Sequence, residues 1–313
     1  MRIPPPNRIA RTSDWRCWRV SICLAVLASN SREIVCITDE KVSFSGFSAD
    51  HMSIKTEPGF GWSAILYAGD DTQYVPLIFE SARRLLKGSG YPHPRRVADA
   101  VDEAYHEQIA ELIEKRVLRR FGFNTETFRK DGKRLCTADA YNRLCERIDK
   151  VRISLQFMVC GFDDEGVGHI YTAGGDRSVE GYDHVGLWAI GEGADVALAS
   201  LSFHITNEDL RPPYAPLDKT LTAALSAKFM SESANTVGQG TFVVVHKKEQ
   251  DVQFMSSESV EELRKAWMTD GAPRLSRTLR NTVCTCLYRI THSENGKDGE
   301  PKQLDAQTSE GQP

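Results

Sequence analysis

The sequence predicts an α+β fold, a four-layer αββα sandwich in which two stacked sheets are covered by helices on both outer faces. Strand-like runs come in two hairpin-rich groups, and helical pairs follow each group. No G-x-G-x-x-G follows a strand and no Walker loop is present, which argues against a nucleotide-binding, doubly wound sheet.

The elements follow in order. Ser21–Ala28 is an apolar strand, Ser29-Asn30-Ser31-Arg32 a turn, and Glu33–Asp39 a second strand, so the pair is a hairpin with a loop of about four residues. Further strands are expected over His51–Thr56 and Ser63–Ala68, with Gly59-Phe60-Gly61 between them. Val75–Lys87 has helical spacing, with Leu77, Ile78, Ala82, Leu85 and Leu86 on one face. Pro76 falls in its first turn, where a missing N–H costs nothing. Arg96–Arg119 carries Val97, Val101, Ala104, Ile109, Leu112, Ile113, Val117 and Leu118 mostly three and four apart, a longer amphipathic helix. Residues 120–138 are charged and glycine-punctuated, and read as an exposed loop or small insertion.

A third helix over Ala138–Asp149 leads into strands at Ile153–Gly161 and His169–Ala173, joined by the turn Asp163-Asp164-Glu165-Gly166. Val185–Ile190 is another strand, ending in the tight turn Gly191-Glu192-Gly193, which opens a helix from Ala194 to about Phe203. Lys219–Ser233 is the next helix and Thr241–Lys247 the last clear strand. The resulting division is a leader over 1–20, a domain over 21–250, a C-terminal extension over 251–292 and a disordered tail over 293–313.

The net charge of −4 gives no reason to expect nucleic acid. It is unevenly spread: residues 1–20 carry five Arg against one Asp, leaving −8 for the remainder. No apolar run approaches the length of a membrane-spanning helix. Eight cysteines are present, several inside apolar strand-like runs (Cys23, Cys36, Cys160), which points to buried free thiols and a cytoplasmic setting. Cys284-Thr285-Cys286 lacks a second pair at metal-binding distance. His51, His106, His169, His184, His204 and His246 are scattered without i,i+4 spacing and read as structural or surface residues. No metal and no cofactor is expected.

The chemistry centres on Val20-Ser21-Ile22-Cys23-Leu24-Ala25, followed by Asp39, Lys55 and Gly69. A strand that opens on a small hydroxyl nucleophile is followed by residue types able to activate it and hold an oxyanion. If Ser21 is the first residue of the mature protein, its own α-amine, titrating at about 7.7–8.0, is a better general base near neutrality than a free lysine at about 10.4. Cys23 is a rival nucleophile by chemistry, but Ile22 and Leu24 on either side place it in the core.

The segment from Ser21 to about Lys247 resembles the proteasome β-subunit branch of the N-terminal nucleophile (Ntn) hydrolases, including its bacterial relatives. The matching pieces are Ser21–Ala25, Ile34–Asp39, Ile54-Lys55, Ala68-Gly69, Val159–Asp163 and Ala189–Ala194. The intervals of 16 from Asp39 to Lys55 and 14 from Lys55 to Gly69 agree with that family's pattern. The resemblance implies roles one position at a time. Ser21 stands where the family has its N-terminal Thr, Asp39 orients Lys55, and the lysine charge lowers the pKa values of the Ser21 hydroxyl and amine. Gly69 presents its N–H to the oxyanion, and Glu192 stands where catalytic subunits usually carry a supporting Ser.

Three departures accompany the likeness. Ser21 lies 18 residues before Asp39, two more than the family norm, and the extra pair is placed in the Ser29–Arg32 turn. The family's late Asp/Ser pair has only Glu232 and Ser233 as candidates. Residues 1–20 must be absent for a free amine. Initiation at Val20, read as Met and then removed, fits best; autocleavage and a retained leader are the other routes. The resemblance also implies peptide or small-amide substrates, assembly into homo-oligomers and an unfoldase partner of unknown identity, or alternatively a non-catalytic structural subunit.

Overall fold

The structure, a computed structural model, describes residues 21–271 apart from 45–46, 50–53, 176–177, 235 and 249–252. The leader 1–20, the tail 293–313, Cys17, Cys284, Cys286 and positions 51–53 of the strand expected over His51–Thr56 lie outside the described residues.

Strands β1 (Ile22–Ala28), β2 (Glu33–Asp39), β3 (Val42–Phe44), β4 (Phe47–Ala49), β5 (Thr56–Phe60) and β6 (Ser63–Gly69) come first. Helices α1 (Val75–Leu85), α2 (Pro94–Ile113), α3 (Thr125–Leu135) and α4 (Ala138–Ile148) follow. Then come β7 (Leu155–Phe162), β8 (Gly168–Ala173), β9 (Glu180–Gly181) and β10 (Leu187–Gly191), and α5 (Ala194–Asn207) and α6 (Leu217–Ser231). The last elements are β11 (Thr241–Lys247), β12 (Gln253–Phe254) and α7 (Ser257–Ala266). One antiparallel sheet has the order β10-β1-β2-β11-β12, the other β5-β6-β7-β8-β9, and β3 pairs with β4 alone.

Strand alternation explains the layers. On β1, Ile22, Leu24 and Val26 face α5 and α6, while Cys23, Ala25 and Leu27 face the second sheet. Leu66, Ala68, Met158, Cys160 and Ile170 meet them from that sheet, and its outer face (Ile65, Phe157, Val159, Tyr171) is covered by Val97, Val101, Ala104 and Tyr105 of α2. Both faces of β1 are therefore dry, which is why it reads as an unbroken apolar run. The fold is the expected αββα sandwich.

The β1–β2 register runs unbroken from Cys23↔Thr38 to Ala28↔Glu33. The four-residue turn is closed by Arg32 N–H donating to Ala28 O (3.1 Å), with Ser29, Asn30 and Ser31 all at positive φ (52°, 59°, 60°).

Two local expectations fail. Residues 120–138 are not simply a loop: they hold α3, started by a reciprocal cap in which Thr127 N–H donates to Asn124 Oδ1 (2.7 Å) and Asn124 N–H to Thr127 Oγ1 (2.9 Å). Phe128 of α3 is buried and stacks on Tyr141 of α4 (centroids 5.3 Å). Phe60, expected between strands, instead ends β5. That strand accommodates Pro58 because it lies at the sheet edge, with a register shift between Glu57 and Phe60. Past residue 250, α7 buries Val260 in the helix-side core, and the adjoining Trp267 packs on Phe229 (5.4 Å) and donates to Ser226 Oγ (3.1 Å).

His246 on β11 is buried edge-on to Phe162 (5.1 Å), and its Nδ1 has no hydrogen-bond partner among the described residues. Burial disfavours the cation and lowers its pKa from 6.5 to about 4. Below pH 6.5 the unfolded chain takes up a proton that the fold refuses, so stability falls as pH drops, levelling near 4. The full loss is about 3 kcal/mol. Urea unfolding of the wild type and His246→Leu at pH 7 and pH 4.5 checks this: the variant should lose less stability on acidification, and equal losses refute the assignment.

Candidate active site

The β1–β2 hairpin brings Ser21 and Asp39 to the same end of the sheet, and the segment before β5 brings Lys55 to them. Lys55 is held beside β6 by Tyr67 N–H donating to Lys55 O (3.2 Å). Its Nζ donates to Ser21 Oγ at 2.5 Å and to Asp39 Oδ1 at 2.6 Å. The same Oδ1 accepts from Ile22 N–H (3.1 Å), and Asp39 Oδ2 from Gly238 N–H (3.1 Å). Ser21, Asp39 and Lys55 are 1%, 0% and 3% exposed. A buried ion pair is tolerable only when its remaining donors and acceptors are met, and three donors to one carboxylate meet that condition. The lysine Nζ is thus fixed against the hydroxyl oxygen of Ser21.

The backbone around Ser21 is supplied by β10 and its turn. Gly193 N–H donates to Ser21 O (3.3 Å). Gly191 has φ +94°, and a Cβ there would stand 2.3 Å from Ser21 O and 3.2 Å from Ala68 Cβ, so only glycine lets the turn lie against Ser21. Gly69, next to Ala68, has φ +143°, and a Cβ on it would lie 2.0 Å from Ser154 O. Glu192 is half-buried between two glycines that touch Ser21; among the described residues no hydrogen bond links its carboxylate to Ser21 or Lys55. A cleft of about 970 Å³ is walled by Leu155 and Thr172 of one sheet, Gly191 of the other, and Ala194 and Asp195 at the start of α5; Ser21, Lys55 and Gly69 are not among its lining residues.

The late pair is not where the sequence suggested. Glu232 pairs with Lys228 Nζ (2.6 Å) and with Arg264, and among the described residues no hydrogen bond links it to Ser21. The structure instead reveals Lys228, fully buried in α6, donating to Gly238 O (2.9 Å) and so steadying the loop whose N–H holds Asp39. Desolvation lowers the Lys228 pKa, with the Glu232 carboxylate opposing it. The sequence signal for Lys228 is weak, one of two lysines in a largely apolar helix. Cys23 is out of play as a nucleophile: its thiol is buried, donates to Tyr67 O (3.2 Å), and its pKa is pushed far up by burial, with the Lys55 charge opposing.

No family model matches the sequence, and no curated protein matches it. Among solved structures, the Anbu (Gly-1) mutant from Hyphomicrobium sp. strain MC1 matches with a TM-score of 0.52 at 13% identity, over 90% of this chain and 100% of that one. The fold is proteasome-like. At this identity the likeness extends to the fold alone. Within the proteasome-like fold, the Ser21–Lys55–Asp39 contact lies at the end of the adjacent inner strands β1 and β2. Among the described residues no helix is long and apolar enough to cross a membrane.

Proposed function

We propose that the chain, once it begins at Ser21, is an Ntn amide hydrolase acting on peptides or small amides. The observation that carries the reading is the buried contact chain Ser21 Oγ–Lys55 Nζ–Asp39 Oδ1. In this mechanism the Ser21 α-amine takes the hydroxyl proton and Oγ attacks the substrate carbonyl carbon. Lys55 holds the forming alkoxide, and Gly69 N–H receives the tetrahedral oxyanion. The proton returns to the leaving amine as the C–N bond breaks, giving an ester on Ser21. Water, deprotonated by the same amine, then hydrolyses that ester and restores the hydroxyl. Glu192 accepts a hydrogen bond from the ammonium form. Assembly into homo-oligomers, a cytoplasmic setting and an unfoldase partner belong to the same proposal. Oligomers are supported by exposed apolar side chains, Phe203 and Ile205 on α5 and Tyr214 beyond it.

One observation favours the rival reading, a structural subunit without catalysis: Ser21 is only 1% exposed. Intact mass of the protein from its native host, followed by a hydroxyl-reactive electrophile, separates the two. Catalysis predicts a chain starting at Ser21 and a single adduct on it. A chain retaining its arginine-rich leader, or a trimmed chain that takes no label, establishes the structural role.

A further inference from the structure

At the end of the sandwich remote from Ser21, three side chains from three elements converge. His93 precedes α2, Asp163 follows β7, and His169 lies on β8; each offers a ligand atom, and these atoms lie within 4.8 Å of one another. The register of β7 places them: its Leu155 end pairs with Gly69 and its Gly161 end with Ser63, so Asp163, eight residues past Leu155, is roughly 26 Å along the chain direction from the Gly69 end.

We propose that His93, Asp163 and His169 bind one divalent transition-metal ion, zinc being the best match to two imidazoles and a carboxylate. The supporting shell is already built. His169 Nδ1 faces Asp183 Oδ2 (2.7 Å), and Asp183 is itself held by Ile170 N–H on Oδ1 (2.9 Å). A carboxylate on Nδ1 fixes the tautomer whose Nε2 lone pair is free for a metal. That Nε2 points at Asp163 Oδ2 (3.2 Å). Asp163 Oδ1 is taken by Glu165 N–H (2.9 Å) and Val167 N–H (2.8 Å), so Oδ2 alone is presented. The 3.2 Å Nε2–Oδ2 separation is already close to the ~3.3 Å between ligands on a tetrahedral zinc with bonds of about 2.0–2.1 Å.

His93 completes the set from the exposed side. Its ring centroid is 4.8 Å from that of His169, and its Nδ1 now accepts from Arg95 N–H (3.1 Å) as the cap of α2. Coordination through either ring nitrogen gives up that cap bond, a cost of about 1 kcal/mol that the metal bond exceeds. The ion so held would tie the start of α2 to the β7–β8 hairpin, with its fourth position left to water. Its distance from Ser21 excludes it from the proposed hydrolysis. Sequence spacing had put His169 among the structural or surface histidines, because ligands at 93, 163 and 169 share no local motif.

Zinc titration of the chelator-stripped full chain by calorimetry tests the site. The wild type should bind one high-affinity equivalent that His169→Ala and Asp163→Asn remove, with far-ultraviolet dichroism checking their folding. Asp183→Asn should weaken it about 10–100-fold. His93→Ser keeps a capping oxygen while deleting the ligand, so it should lose zinc without losing thermal stability in the metal-free state. Absence of binding to the wild type, or binding that these variants leave unchanged because cysteines hold the ion, overturns the proposal. Hydrolytic activity plays no part in either result.

Discussion

Replacing Lys55 by methionine in the chain that begins at Ser21 is expected to lower amide hydrolysis by about 10²–10⁴-fold, the range that positioned proton-transfer and charge-stabilising groups supply. Among the described residues, the Lys55 Nζ at 2.5 Å is the one cation in contact with Ser21 Oγ. Methionine preserves the length and the packing of the stem, so the substrate-facing surfaces should stay in place. The change also strands Asp39, which keeps Ile22 N–H and Gly238 N–H but loses its counter-ion in the core. Removing one partner of a buried pair costs about 3–5 kcal/mol, so a lower melting temperature is expected as well. Lys55→Met with Asp39→Asn separates the two effects. The double variant should recover part of the stability and none of the rate. A double variant that hydrolyses at the wild-type rate would show that the lysine has no chemical role.

Gly191→Ala should be as damaging although it removes nothing. The new methyl carbon would stand 2.3 Å from Ser21 O and 2.9 Å from its carbonyl carbon, at a backbone φ of +94° that alanine resists. Backbone strain and overpacking together predict a loss of about 2–5 kcal/mol. Whatever relief the fold finds must displace either the turn or Ser21, and a displacement near 1 Å costs about 10² in rate for a well-positioned nucleophile. Gly88→Ala is the control: its φ is +86°, yet a Cβ there meets nothing within 4 Å. It should lose about 1 kcal/mol and no activity. Equal stability losses in the two variants would mean that the contact with Ser21 carries no load beyond local strain.

Much of the sandwich was legible because its signals are periodic. β1 and β2 read as apolar strands, and their unbroken antiparallel register returns Asp39 to the Ser21 end of the hairpin, where it meets Lys55. α3 was hidden by its charge, with Lys130, Asp131, Lys133 and Arg134 masking a single buried Phe128; the Asn124–Thr127 cap was the signal available. Phe60 was misplaced because Pro58 and Gly59 look like turn residues, and only the edge position of β5 makes them acceptable. The partners of Glu232 were hidden for a different reason. Its sequence position says nothing of Lys228 one helical turn earlier or of Arg264 in α7, which together draw the carboxylate away. The loop amide of Gly238 carries no side chain to announce it. The His93–Asp163–His169 group is assembled by folding alone.

Because the strand that starts at Ser21 has no wet face, whatever seizes that residue is felt by the entire molecule. Amide protons along Ile22–Ala28 should be the last to exchange, and they should open only when everything opens. A ligand gripping Ser21 would therefore announce itself as a rise in the melting temperature of the sandwich, even in the absence of any turnover assay.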